Sequence, residues 1–281
     1  MATGRTGIVV DSAANIPPDL LEQLGITVVP MVLKFGERVS LDGVDLNPSE
    51  FYDALVAERV PVSTSAPSIG DFRSAYERAL KRYDTLVCVT VASFVSATHD
   101  AAVAAAREVD PSRVVVVDSR SASLGEGLPA IEAARAAAAG ASLEEVAARA
   151  RDIADRTAFI AAIDTFEFLR RSGRVNVLMA YAATALNIKP VFGFRRGQVE
   201  QLGRPRTRAR AIERVLTEVR KAAAGGPLHI GVAHAACADE AEELVATLRR
   251  EVAYEEILLA EFTPLMGAHT GPGLLGVAFW G

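Results

Sequence analysis

Residues 85–118 read TLVCVTVASFVSATHDAAVAAAREVDPSRVVVVD, and this stretch decides the fold class. A short apolar run opens it, an Ala-rich segment with helical spacing follows, and four consecutive valines close it before Asp118. Two short strands joined by one helix make a βαβ unit, because a parallel pair needs a crossover long enough to return to the same edge. The alternation extends in both directions. Strands are expected at 7–10, 85–91, 113–117, 159–163, 228–233, 256–262 and 274–280. Helices are expected at 18–24, 48–58, 69–82, 96–108, 128–139, 143–155, 177–186, 208–224 and 239–251. The pattern predicts two packed α/β domains with mostly parallel sheets. It restarts near Arg156, so residues 1–156 and 157–281 are read as an N-terminal and a C-terminal α/β domain, with a hairpin around Gly197 in the second. Ser142-Leu143-Glu144-Glu145 is a capping box, and Asn47-Pro48-Ser49-Glu50 starts a helix with Pro at its first position.

Composition narrows the function classes. The chain has 281 residues, 50% of them hydrophobic and only 6% aromatic, which fits a Val, Leu, Ile and Ala core. The net charge of -5 argues against general nucleic-acid binding. No apolar run reaches the ~18 residues of a membrane span, and no signal-peptide core follows the N-terminus. Cys88 and Cys237 sit far apart in apolar stretches, read as free thiols of a cytoplasmic protein. The histidines, His99, His229, His234 and His269, lack metal-ligand spacing, so no metal site is expected.

Polar residues at expected strand ends come next, since ligands in open α/β sheets bind beyond the C-terminal ends of the strands. Val-Val-Asp-Ser occurs at 9–12 and again at 116–119. These Asp and Ser residues read as turn formers and helix caps, or as ligand contacts. Ser93 and Ser96, between an apolar strand and an Ala-rich helix, could converge with free helix N–H groups on an anion. Thr64 and Ser65 read as a loop before a helix cap. His269 lies between glycines that permit close ligand approach. Gly125-Glu126-Gly127-Leu128-Pro129-Ala130 imitates a dinucleotide fingerprint, but no acidic strand end follows at the right distance. Arginines concentrate after residue 156, as a solvated face or a docking surface for an acidic partner or phosphorylated ligand.

Taken together these motifs resemble the DegV family along the whole chain. The resemblance rests on Asp11-Ser12, Asp42, Thr64-Ser65-Ala66-Pro67-Ser68, the Ser93-to-Thr98 segment, Asp118-Ser119, Phe168-Leu169-Arg170-Arg171-Ser172-Gly173-Arg174, Leu186-Asn187-Ile188-Lys189-Pro190 and His269-Thr270-Gly271-Pro272-Gly273. Ala92, Ala97 and Ser172 depart from the family pattern of Ser, Gly and Gly.

The resemblance implies a protein that binds one long-chain fatty acid between its two domains, with no cofactor of its own. It further implies a lipid-carrying subunit that presents the carboxylate to a separate fatty acid kinase subunit. By motif, Thr64 and Ser93 would bind the carboxylate, with Ser65, Ser96 and His269 nearby. The tail would lie among Ile163, Phe166, Leu169, Leu186, Ile188 and Phe192. Arg174 and Arg206 would serve the partner or the phosphorylated headgroup. Two other readings are carried: a hydrolase or phosphotransferase using Ser93 or Ser96 with His269, and a lipid-sensing regulatory module.

Overall fold

The computed structural model describes residues 4–46, 48–57, 62–173 and 188–281. The expected helix at 177–186 therefore lies outside the described residues, as do Arg174 and Leu186. The opening stretch folds as β6 (Thr85–Thr90), α4 (Thr98–Val109) and β7 (Val114–Asp118). With β1 (Thr6–Asp11) and β2 (Thr27–Val29) these strands form a sheet of order β2-β1-β6-β7 in which every pairing is parallel. Alternation assigns its faces. Val9 faces α3 (Ile69–Ala79) and α4, packing with Phe72, Tyr76 and Ala105. Ile8 and Val10 face α5 (Leu124–Ala138) and α6 (Leu143–Arg156), packing with Ile131, Val146 and Ala150.

The second sheet corrects part of the expectation. Its strands are β8 (Ala158–Ala162), β9 (Val191–Arg195), β10 (Gln198–Gly203), β11 (Leu228–His234), β12 (Tyr254–Glu261) and β13 (Leu275–Trp280), in the order β10-β9-β8-β13-β11-β12. Only β11 and β12 pair in parallel; the other pairings are antiparallel. The helix α9 (Ala238–Glu251) carries the chain across from β11 to β12, as a parallel pair requires. Arg196 and Gly197 join β9 to β10 with φ of 49° and 74°, the two left-handed residues of a tight hairpin. A short apolar run reads the same in either orientation, so sequence did not separate the two cases.

A third, antiparallel sheet has no counterpart in the expected elements: β3 (Val32–Phe35), β4 (Arg38–Leu41) and β5 (Val62–Ser65), in the order β4-β3-β5. Residues 62–65, read as loop, are thus its edge strand. The remaining helices are α1 (Pro18–Leu24), α2 (Pro48–Ala57), α7 (Glu167–Arg171), α8 (Arg208–Ala223) and α10 (Pro264–Thr270). Both α8 and α9 cover the outer face of the second sheet. No helix among the described residues is long and apolar enough to cross a membrane.

The helix α5 lies between the two large sheets, against β1 and β6 on one side and β8, β11 and β13 on the other. It begins at Leu124, ahead of the expected residue 128, and is buried on all sides through Ala134. The Gly-x-Gly that imitated a nucleotide motif explains itself here. A Cβ on Gly125 would stand 2.1 Å from Ser121 Oγ, and one on Gly127 2.7 Å from the Ala14 carbonyl. Both glycines serve helix packing.

An ion-pair network fastens the same halves of the chain. Arg135 of α5 donates to both oxygens of Glu256 on β12, at 2.6 and 2.7 Å. Arg149 of α6 holds Glu132 and also lies over the Trp280 ring, 5.1 Å from its centroid. His229 stacks on Trp280 at 4.1 Å. The ligand-type atoms of Glu132, His229 and Glu256 lie within 4.8 Å of one another, but arginines already hold both carboxylates.

Candidate functional site

The inner face of the second sheet carries large aromatics at alternate positions. Phe159 on β8 and Phe192 and Phe194 on β9 all point to this face. Their rings meet: Phe159 stacks on Phe194 at 6.2 Å, and Phe192 meets Phe194 edge-on at 6.1 Å. The Phe159 ring packs directly onto the β13 backbone at Gly276. A Cβ on Gly276 would lie 2.8 Å from the Phe159 ring. What remains is an apolar pocket with about 760 Å³ of space including its mouth. Ala13, Met31 and Val91 close it from the first sheet's side, Leu169 from α7, and Phe262, Leu265 and Leu274 from around α10.

The polar residues of this pocket gather at Thr64, Ser65, Ser96, His269 and Thr270. Thr64 Oγ1 lies 3.0 Å from His269 Nε2, and one of the two donates to the other according to the imidazole tautomer. Thr64 is half-buried on β5, and Ser65 follows it exposed on the same strand. Ser96 Oγ pairs with Thr98 Oγ1 at 2.8 Å and accepts from the Thr98 N–H at the start of α4. His269, read as a loop residue, sits in the last turn of α10. Gly271 ends that helix at φ 73°, where a Cβ would stand 2.1 Å from the Phe168 ring.

The start of α10 is anchored by Asp42. Its Oδ1 accepts from the Leu265 N–H at 2.9 Å, and its own N–H donates to the Met31 carbonyl. Tyr52 of α2 packs where any Cβ on Gly267 would stand, and its hydroxyl donates to the Phe262 carbonyl. The helix bearing His269 is therefore located by residues of the small sheet and α2, far away in sequence.

The repeated Val-Val-Asp-Ser proves to be one device used twice. Asp11 at the end of β1 accepts from Ala13 N–H and, across the sheet, from Val91 N–H, both at 2.9 Å. Asp118 at the end of β7 accepts from Arg120 N–H at 2.8 Å and from the Ser93 hydroxyl at 2.6 Å. Both aspartates thus cap their own turns and brace the segment after β6 from either side. Ala13 and Val91, the two residues tied by Asp11, line the pocket.

Asp11 is wholly buried, and burial pushes its carboxyl up to about 7. Glu126 of α5 is also wholly buried, and burial, reinforced by the Asp11 charge, holds it well above the usual carboxylate range. The two buried carboxyls thus face one another's charge, which disfavours ionising both. Among the described residues, no hydrogen-bond partner reaches either Glu126 oxygen. Sequence reading missed Glu126, because it sat inside the apparent nucleotide fingerprint.

The expected site residues thus separate. Thr64, Ser65, Ser96 and His269 are brought together on one pocket, and Leu169 and Phe192 line its apolar part. Ser93 is placed elsewhere: it is exposed, and its hydroxyl proton is given to Asp118. Ile163 is buried behind the wall, Phe166 packs on the same core, and Ile188 is half-buried away from the pocket lining. Residues missed as wall are Phe159, Phe194, Phe262 and Leu265, which came from strands and a helix whose inward faces could not be assigned. Arg206 is exposed ahead of α8. Several neighbouring arginines are committed within the fold: Arg195 to Glu218, and Arg208 to Glu240, Asp164 and the Gly273 carbonyl.

A doubly wound parallel sheet, a mixed second sheet and an apolar pocket bordered by hydroxyl and imidazole groups define a two-part α/β protein. The chain belongs to the DegV family, whose family model, described as an uncharacterised protein family, matches residues 5–281. A DegV domain-containing protein of Streptomyces coelicolor is 37% identical over 275 residues, covering 97% of each chain. A DegV family protein of Thermus thermophilus, whose structure is described for its fatty acid binding, superposes with a TM-score of 0.91 at 32% identity, covering 98% of this chain and 99% of that one. DegV of Bacillus subtilis, described as a fatty acid binding protein, gives a TM-score of 0.90 at 27% identity over 99% of each chain.

Proposed function

We propose that this protein binds a long-chain fatty acid in the pocket between its domains, residues 1–156 and 157–281, and presents the carboxylate to a separate kinase subunit that converts it to an acyl phosphate. The observation that carries the reading is the Thr64–His269 pair at 3.0 Å in an otherwise apolar pocket. An acyl tail needs such a slot: at about 0.8 kcal/mol per methylene, a tail of about 14 gains on the order of 11 kcal/mol before ordering costs. Leu169, Phe192, Phe159 and Phe194 supply its walls.

The head poses the opposite problem, since an unpaired buried carboxylate costs several kcal/mol. Thr64, Ser65, Ser96 and His269 are the donors offered to it. Hydroxyls and an imidazole stabilise a carboxylate without a fixed positive charge, so one oxygen stays nucleophilic toward a γ-phosphate. Ser93 would join them only by giving up Asp118, which makes it a residue whose role depends on rearrangement. The hydrolase reading is less favoured, because the hydroxyl facing His269 Nε2 belongs to Thr64, while Ser93 and Ser96 are bonded to Asp118 and Thr98.

Solvent extraction of the purified protein followed by mass spectrometry tests lipid binding; a C14–C18 acid is expected in stoichiometric amount, and its absence from repeated preparations overturns the reading. Adding a cognate fatty acid kinase subunit with ATP and trapping the product with hydroxylamine tests the second half. An acyl hydroxamate is expected. Bound lipid without hydroxamate would favour the regulatory module instead.

A further inference from the structure

A lone exposed leucine means little, but a cluster of exposed apolar side chains marks a contact surface. Among the described residues six large hydrophobic side chains are exposed, and three of them, Val39, Leu41 and Val44, stand on β4 or in the turn after it. Val39 and Val44 are each 67% exposed. The lining of the lipid pocket makes no use of these three.

Alternation sorts the small sheet into two faces. Leu33 and Phe35 of β3, Ser40 of β4 and Thr64 of β5 face inward, toward the core and His269. Val32, Lys34, Val39, Leu41, Ser63 and Ser65 face outward, and all but the half-buried Val32 are exposed. Register lines these side chains up across the strands. Ser65 lies opposite Val32 and Val32 opposite Leu41; beside that row, Ser63, Lys34 and Val39 form a second. Ser65 also borders the lipid pocket. The apolar row therefore starts at the pocket mouth, next to the Thr64–His269 pair.

The strand edge is closed to backbone pairing at Leu41. Asp45 Oδ2 accepts from the Leu41 N–H at 2.7 Å, and the Leu41 carbonyl accepts from the Val44 and Asp45 N–H groups. A partner on this face must therefore engage side chains rather than add a strand. The charges around the patch have both signs: Lys34 and Arg38 with Glu37 and Asp45, all exposed. An anionic bilayer would repel the acids, and the net charge of -5 adds to that repulsion. A protein surface can set an opposite charge against each.

We propose that this face is the docking surface for the kinase subunit, which seats an apolar patch on Val39, Leu41 and Val44 and reaches the carboxylate past Ser65. The docking face rests on the carrier function proposed above and extends it from the head site to the partner. Phosphoryl transfer requires the partner to cover the mouth where the carboxylate sits, and the apolar row is continuous with that mouth. Lys34, opposite Val39 in register, calls for an acidic side chain at the rim of the partner's patch.

The test uses the full-length protein loaded with palmitate, a cognate kinase subunit, ATP and the hydroxylamine trap, with the carrier concentration varied. Leu41→Glu and Val39→Glu should each raise KM for the carrier at least about 10-fold and leave kcat at saturation unchanged, because docking is lost while the head site is intact. Bound palmitate should stay at the parent level. Tyr254→Glu, at an exposed position on β12, should change neither constant. Lys34→Glu removes no apolar contact and should raise KM more at about 20 mM than at about 500 mM salt, which keeps the test open if a glutamate on β4 disturbs folding. Parent KM values in all three variants of the face overturn the proposal, as does a fall in kcat with KM fixed. It is also overturned if the wild type cosediments with phosphatidylglycerol vesicles, or dimerises by light scattering, and the variants abolish that association while KM holds. A loaded wild type that yields no hydroxamate removes the carrier function itself, and the docking face with it.

Discussion

Thr64 and His269, separated by 205 positions in sequence, lie in hydrogen-bonding contact on the same pocket wall. One comes from the edge of the small antiparallel sheet and the other from the last turn of α10. Neither element is held by the other alone: Asp42, in the turn after β4, fastens the start of α10. The geometry of the head site is thus a property of the small sheet as much as of the two large ones.

If this pair holds a carboxylate, Thr64→Val and His269→Phe should each weaken long-chain acid binding by about 10- to 100-fold, since a hydrogen bond to a charged group is worth about 1.5–3 kcal/mol. Affinity for the matching methyl ester should change little. Competitive displacement of a fluorescent fatty acid measures both, and equal losses for acid and ester would remove the pair from the headgroup.

Ala122 lines the pocket and is buried to 7% exposure. Ala122→Phe should fill the slot, at an overpacking cost of about 1–3 kcal/mol. Co-extracted lipid should disappear while the circular dichroism spectrum is retained. Undiminished lipid content in a folded variant would show that the tail runs elsewhere.

Stability should fall as pH rises. Asp11 is raised from 3.8 to about 7 by burial, so the folded state holds its proton more tightly than the unfolded chain. Its contribution is complete below pH 3.8 and is lost as pH climbs through about 7; Glu126, also raised, extends the loss to higher pH. Glu126→Gln removes the ionisable group beside Asp11 while keeping its shape. Urea unfolding at pH 6 and pH 9 should show a smaller alkaline loss in this variant than in the parent, and an identical loss would show that Glu126 does not contribute to it.

Arg135→Gln removes the bidentate contact to Glu256 and leaves that carboxylate to His229 alone. The Arg135 side chain is 37% exposed, so solvent screening limits the expected loss to about 1 kcal/mol. A lower urea midpoint that converges with the parent in 1 M salt is the expected signature, and a salt-independent difference would assign the effect to packing.

Much of the chain's architecture was legible along the sequence. The 85–118 stretch carries its own strand–helix–strand periodicity, and Ser142 with Glu145 forms the capping box it spells. Such features depend on contacts within a few residues, which local spacing encodes. Apolar positions also declared a core, and the order of the family motifs pointed to Thr64, Ser96 and His269. Only the tertiary structure decided how those pieces meet. Strand direction in the second sheet, the inward turn of Phe159 and Phe194, the departure of Ser93 to Asp118, and the burial of Glu126 against Asp11 all depend on neighbours distant in sequence. Each is settled by which side chain competes best for one space or one proton, and that competition exists only once the chain has closed on itself.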